Sequence, residues 1–158
     1  MSEIEVRIIK LEAMRVACTY GFGEQPEIQA WSKMLAWAKS QGFEDLTAHR
    51  FFGFNNPNPS PGSPNYGYEQ WMTIGSEASS EEGIEIKDFP GGLYAVTRSE
   101  GIQNITENWR KLVVWREGSK YQEAHHQWFE ECFTPQAESL EDYVFDLYAP
   151  IAAQAGEG

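Results

Sequence analysis

The chain has 158 residues, 24 acidic against 12 basic side chains, and a formal net charge of −12. That length suits one domain with its own core, and the charge argues against a phosphate-backbone binder, which needs clustered Lys and Arg. The two cysteines, Cys18 and Cys132, lie far apart with no CxxC or Cys/His cluster, which argues against a zinc site and against a disulfide framework.

In chain order, Glu5 to Leu11 carries β-branched residues that suit a strand. Met14 to Tyr20 reads as a second strand, ended by Gly21 and Gly23. Pro26 fits a first helical turn, with Glu27 near the positive end of the helix. Ile28, Trp31, Leu35 and Ala38 predict the buried stripe, and Gly42 predicts the stop. His49 to Phe54 reads as a strand. Asn55 to Asn65, with four prolines, reads as a loop, and a loop of this length is often functional. Tyr68 to Ile74 reads as a strand. The acidic, Ser-rich stretch from Gly75 to Gly83 reads as a linker.

Beyond the linker, Ile84 to Phe89 reads as a strand, Pro90-Gly91-Gly92 as a turn and Leu93 to Ser99 as a strand. Asn104 with Glu107 predicts a capping box. The helix it starts runs through Trp109, Leu112, Val113 and Trp115 to Gly118. Tyr121, Ala124, His125, Trp128, Phe129, Cys132 and Phe133 follow helical spacing, yet an internal repeat that places Phe129 on Phe51 favours a strand from Gln127 to Phe133. Glu141 to Ile151 reads as the last strand, and Ala152 to Gly158 as a frayed end.

A shift of roughly 78 positions places Trp31 on Trp109, Lys33 on Lys111 and Trp37 on Trp115. The same shift places Val16-Ala17-Cys18-Thr19 on Tyr94-Ala95-Val96-Thr97. The expected fold is therefore α+β, a tandem pseudo-twofold repeat of β-β-α-β-β units in one domain spanning 1–158. The repeats cover about 5–75 and 84–151. Each has an antiparallel sheet and one helix whose apolar stripe covers a sheet face, and a ligand cleft is expected at the seam.

Acids recur beside aromatics in the predicted strands: Tyr68-Glu69-Gln70-Trp71, Trp128-Phe129-Glu130-Glu131 and Asp146-Leu147-Tyr148. Residues two apart in a strand share a face, which pairs Glu69 with Trp71, Trp128 with Glu130 and Asp146 with Tyr148. A carboxylate beside ring faces suits a flat or cationic organic molecule, through stacking, cation–π contact and charge neutralisation. These six residues, with Tyr68, Trp37 and Trp115, form the expected ligand site. Glu69, Glu130 and Asp146 are the candidates for acid–base work, because desolvation among rings raises a carboxyl pKa. His125 and His126 are adjacent and point apart, and neither they nor His49 suggest a metal site. No nucleophile elbow, P-loop or dinucleotide fingerprint is present, and no cofactor is expected.

Several of these segments together resemble the GyrI-like small-molecule-binding family. They are Phe89-Pro90-Gly91-Gly92-Leu93-Tyr94-Ala95-Val96, the helix with Trp115, Phe129-Glu130-Glu131 and Asp146-Leu147-Tyr148-Ala149-Pro150-Ile151. Phe52 to Pro57 and Tyr68-Glu69 are similar to the matching strands of a subgroup. This family supplies the effector-binding domain of many AraC- and MerR-type regulators and also occurs free-standing. The resemblance implies a cleft lined by rings and a buried acid. The family often has Glu where this chain has Asp146, so the acid here is shorter.

The reading that follows is a stand-alone domain binding lipophilic or cationic aromatic compounds. A second reading is a hydrolase of reactive cyclopropane-bearing toxins, and a third is a protein-interaction role such as modulation of DNA gyrase. No direct DNA binding, no membrane contact and a cytoplasmic location are expected; no leader or membrane span is read at the start.

Overall fold

β-branched and aromatic runs alternate with two helical stretches along the chain. A computed structural model describes residues 4–43, 45, 48–55, 62, 64–75, 84–134 and 139–152. Most of the expected proline-rich loop, the core of the linker and residues 153–158 of the expected frayed end lie outside the described residues; Ala152, expected to fray, instead ends the last strand. The elements are β1 (Arg7–Leu11), β2 (Met14–Gly23), α1 (Pro26–Ser40), β3 (Phe51–Asn55), β4 (Tyr66–Thr73) and β5 (Glu85–Phe89). They continue with β6 (Gly92–Glu100), α2 (Ile105–Glu117), β7 (Gln122–Glu123), β8 (Phe129–Cys132) and β9 (Val144–Ala152).

The shift of about 78 positions carries β1 onto β5, β2 onto β6, α1 onto α2, β3 onto β8 and β4 onto β9. The β-β-α-β-β order thus occurs twice, with the short β7 as an addition, and every strand pairing described is antiparallel.

The chain groups into two compact units, Ala13–Phe89 and Pro90–Gly158 with Met1–Glu12. Within the first, the strand order is β3-β4-β2-β5, and within the second it is β1-β6-β9-β8 with β7 on β9. The leading strand of each repeat therefore pairs with the other repeat's long strand: β1 with β6, and β5 with β2. Both exchanges keep one register. Arg7 lies opposite Val96, and their repeat counterparts Glu85 and Cys18 lie opposite each other.

In the Ala13–Phe89 unit, α1 begins at Pro26 with Glu27 in its first turn, as expected. Gly42 follows it with φ 81°, a left-handed conformation that glycine adopts without steric cost. The buried face is Pro26, Ala30, Met34, Trp37 and Ala38. Of the predicted stripe only Ala38 is buried: Ile28 is 60% exposed and Leu35 37%, and Ala30 and Met34 take the inner positions. The small residues decide this. Thr19 Oγ1 donates to the Ala30 carbonyl at 2.7 Å, and Gly21 leaves the space into which Pro26 O and Gln29 Cβ fit. Close approach of helix to sheet then selects Ala30 rather than Trp31 as the inner residue. Trp31 packs beside it, its ring 5.3 Å from that of Phe51.

In the second unit, α2 buries Leu112 and Arg116. The expected capping box does not form. The 3-10 turn Ile102–Asn104 leads straight into the helix and leaves Asn104 with helical dihedrals. Its side chain donates back to the Glu100 carbonyl, and Glu107 pairs with Arg110. The helical spacing from Tyr121 to Phe133 produces no helix. Gln122–Glu123 and Phe129–Cys132 both pair with β9, as the repeat predicts for the latter. Ladder pairing of β8 outweighs the local pattern, and the Phe129 ring lies 5.3 Å from both Tyr94 and Tyr148.

Candidate functional site

Strand alternation divides each unit into a helix-covered face and an opposite face. In the Ala13–Phe89 unit, Thr19 and Gly21 of β2 and Phe51 of β3 lie under α1. Cross-strand register puts Tyr68, Gln70 and Met72 on that side. The opposite face carries Cys18, Glu69, Trp71, Phe54, Lys87 and Phe89.

Glu69 is the centre of this face. Its side chain is only 9% exposed, and its Oε1 accepts from three donors: Trp71 Nε1 at 3.2 Å, Cys18 Sγ at 3.2 Å and Lys87 Nζ at 3.0 Å. Trp71 Nε1 comes from the same strand two residues on, which is the face-sharing expected from the sequence. The Trp71 ring is edge-on to Phe54 at 5.1 Å and tilted against Phe89 at 5.5 Å. The Lys87 ammonium sits 6.0 Å from the Trp71 ring centroid, at the outer reach of a cation–π contact. Burial, then the Glu69 charge and hydrogen bond, push the Cys18 thiol up to about 12, so it stays a neutral donor. Burial pulls the Lys87 ammonium down, but the hydrogen bond to Glu69 and the surrounding negative groups outweigh it and leave the pKa raised.

Tyr68 lies on the other face from Glu69. Its hydroxyl fills the space over Gly53 that any Cβ there would occupy. Trp37 packs on Phe43 at 5.8 Å, within the buried stripe of α1. Both belong to the helix side of the unit.

In the second unit, Asn108 of α2 donates to Ser99 Oγ at 2.9 Å, which fixes the helix side. The opposite face carries Arg7, Val96, Arg98, Phe129, Glu131, Asp146 and Tyr148. Asp146, 4% exposed, accepts from Arg7 Nη2 at 2.8 Å and Arg98 Nε at 2.7 Å. Its hydrogen bond and charge raise the Arg98 pKa further. Tyr148 donates to Glu131 Oε1 at 2.7 Å. Tyr94, Phe129 and Tyr148 form a ring cluster with centroids 5.3–5.4 Å apart. Burial raises the Tyr94 phenol.

Asp146 and Tyr148 thus share a face, as expected. Glu130 does not join them: it lies opposite Leu147, on the other side of the strand, and Glu131 lies opposite Asp146. Trp128 turns to α2, 5.6 Å from Trp109 and 5.4 Å from the Arg116 guanidinium. Trp115 stacks on Tyr121 at 6.4 Å. His49 and His126 bind backbone carbonyls through one ring nitrogen each.

Sequence reasoning missed Lys87, Arg7, Arg98, Tyr94 and Glu131. A signal existed for Lys87, which shares a face with Phe89 in the strand read over Ile84 to Phe89. Its reach across β2 to Glu69 needs the strand order, which the local pattern does not contain.

A face with a buried carboxylate and converging rings is what the resemblance read from the sequence implies. A family model described as integron-associated effector binding protein (Cass2) matches residues 7–151, and this chain belongs to that family. A search of curated proteins returned no match. Among solved structures, the chain is similar to the EcmrR C-terminal domain, with TM-score 0.72 and 11% identity over 95% of this chain and 98% of that one. In the cryo-EM complex of EcmrR with DNA, it spans 57% of the EcmrR chain. It is similar to the integron cassette protein VCH_CASS2 from the mobile metagenome of Vibrio cholerae, with TM-score 0.56 and 13% identity over 93% of this chain and 95% of that one. It is also similar to SAV2435 bound to tetraphenylphosphonium, with TM-score 0.56 and 12% identity over 94% of each chain. The GyrI-like effector-binding fold read from the sequence is the fold observed. No helix among the described residues is long and apolar enough to cross a membrane.

Proposed function

We propose that this chain binds a lipophilic organic cation, with Glu69 supplying the counter-charge and Trp71, Phe54 and Phe89 the ring surface. The observation that carries this reading is the Glu69 carboxylate, nine-tenths buried and bonded to the Trp71 indole. A desolvated carboxylate attracts a cation more strongly than an exposed one, because the local dielectric is low. Adjacent rings add stacking and cation–π energy. Asp146 is less available, since two arginines already pair with it. Membership of an effector-binding family supports the reading, as does the lipophilic cation bound by SAV2435.

Quenching of tryptophan fluorescence by a panel of cationic dyes tests it. Affinities near micromolar, about −8 kcal/mol, are expected for at least some members, and Glu69→Gln weakens them. No quenching across the panel contradicts the reading.

A further inference from the structure

The cation-binding position at Glu69 is already filled from within. Lys87 reaches from β5 across β2 and puts its Nζ 3.0 Å from Glu69 Oε1 and 6.0 Å from the Trp71 ring centroid. These are the carboxylate and the ring that a cationic ligand needs. The lysine is not sealed in: its side chain is 32% exposed, and Nζ lies 4.0 Å from the carboxylate of Glu85, which is 71% exposed. Glu85 gives the ammonium an outward position on its own strand. The aliphatic stem of lysine makes such a swing sterically easy.

We infer that Lys87 is a tethered competitor, holding the place at Glu69 and Trp71 that a cationic ligand takes and moving out toward Glu85 when one enters. The inference rests on the reading of Glu69 as the ligand's counter-charge. It makes Lys87 a specificity-determining residue. A ligand must outcompete a covalently attached ammonium, so small or weakly stacking cations are rejected. Bulky aromatic cations succeed because their rings add contacts that lysine cannot make.

The test compares N-methylacridinium, permanently charged, with acridine, uncharged at mildly alkaline pH and nearly identical in shape. Binding is measured by fluorescence titration for the natural chain, Lys87→Met, and each of these carrying Glu69→Gln. Lys87→Met is expected to bind N-methylacridinium about five- to tenfold more tightly than the natural chain, the scale of one partly buried charge pair. Acridine is expected to change little, and Glu69→Gln to erase the gain. Lys87→Met leaves a buried carboxylate without its cation, so thermal melts accompany the titrations. Lys87→Gln, which keeps a polar head, is expected to show the same direction. If the Lys87 variants bind the cation no better than the natural chain while Glu69→Gln weakens it, the competitor role is wrong and the reading of Glu69 stands. If N-methylacridinium binds no protein, or binds regardless of Glu69→Gln, the reading of Glu69 fails and the inference fails with it.

Discussion

Tyr148 donates its phenolic hydrogen to Glu131 at 2.7 Å, and both residues are at most 3% exposed. A buried carboxylate held by a buried phenol ties β8 to β9 through side chains as well as through the ladder. Tyr148→Phe keeps the ring packing against Tyr94 and Phe129 but removes the donor. The expected loss is about 1–3 kcal/mol of unfolding free energy, read from urea denaturation. A loss no larger than that of an exposed-site control contradicts the account of this pair.

Alkaline stability follows from the thiol bonded to Glu69. The folded-state pKa of Cys18 is raised from 9.0 to about 12, so its contribution is intact below 9.0 and is lost as pH rises toward 12. In that window the unfolded chain ionises while the folded chain does not. Lys87 is raised as well and has the same sign. Cys18→Ser keeps a donor for Glu69 and removes the titration. Its unfolding midpoint is expected to fall less steeply with pH than that of the natural chain. Parallel slopes would show that Cys18 does not carry the effect.

The helix stripe separates two readings of α1. Met34 is fully buried and Ile28 is 60% exposed. Met34→Ala is expected to cost about 2–5 kcal/mol, and Ile28→Ala to stay within about 0.5 kcal/mol. The reverse order of effects would restore the stripe predicted from spacing alone.

Gly53 has no room for a side chain, because the Tyr68 hydroxyl occupies that space. Gly53→Ala is expected to lower stability by about 1–3 kcal/mol through overpacking, measured by thermal melting. A neutral or stabilising effect would mean that the tyrosine shifts freely.

The order of elements was legible because the repeat supplied a second, independent reading of each one. That is what identified β8 against a helical spacing. The side-chain faces were less legible. Spacing puts Trp31 in the helical stripe and leaves Trp37 out of it, and only the small residues at Ala30 and Gly21 turn the helix so that Trp37 faces inward. In β8, the pairing of Glu131 rather than Glu130 with Asp146 follows from the ladder register, and a run of two consecutive acids carries no sign of it. Glu69 with Trp71 and Asp146 with Tyr148 were legible, since period-two alternation within one strand needs no partner. The cations that meet those acids come from other strands: β6 pairs directly with β9 and brings Arg98, while the exchanged pairings of β1 with β6 and β5 with β2 bring Arg7 and Lys87.

The most direct test of the binding account is calorimetric titration with tetraphenylphosphonium and tetraphenylborate, which share size and shape but carry opposite charge. The account predicts that the natural chain prefers the cation by about tenfold or more, a difference of about 1.4 kcal/mol, and that Glu69→Gln removes this preference. Equal affinity for both ions, or a cation preference unchanged by Glu69→Gln, would contradict it.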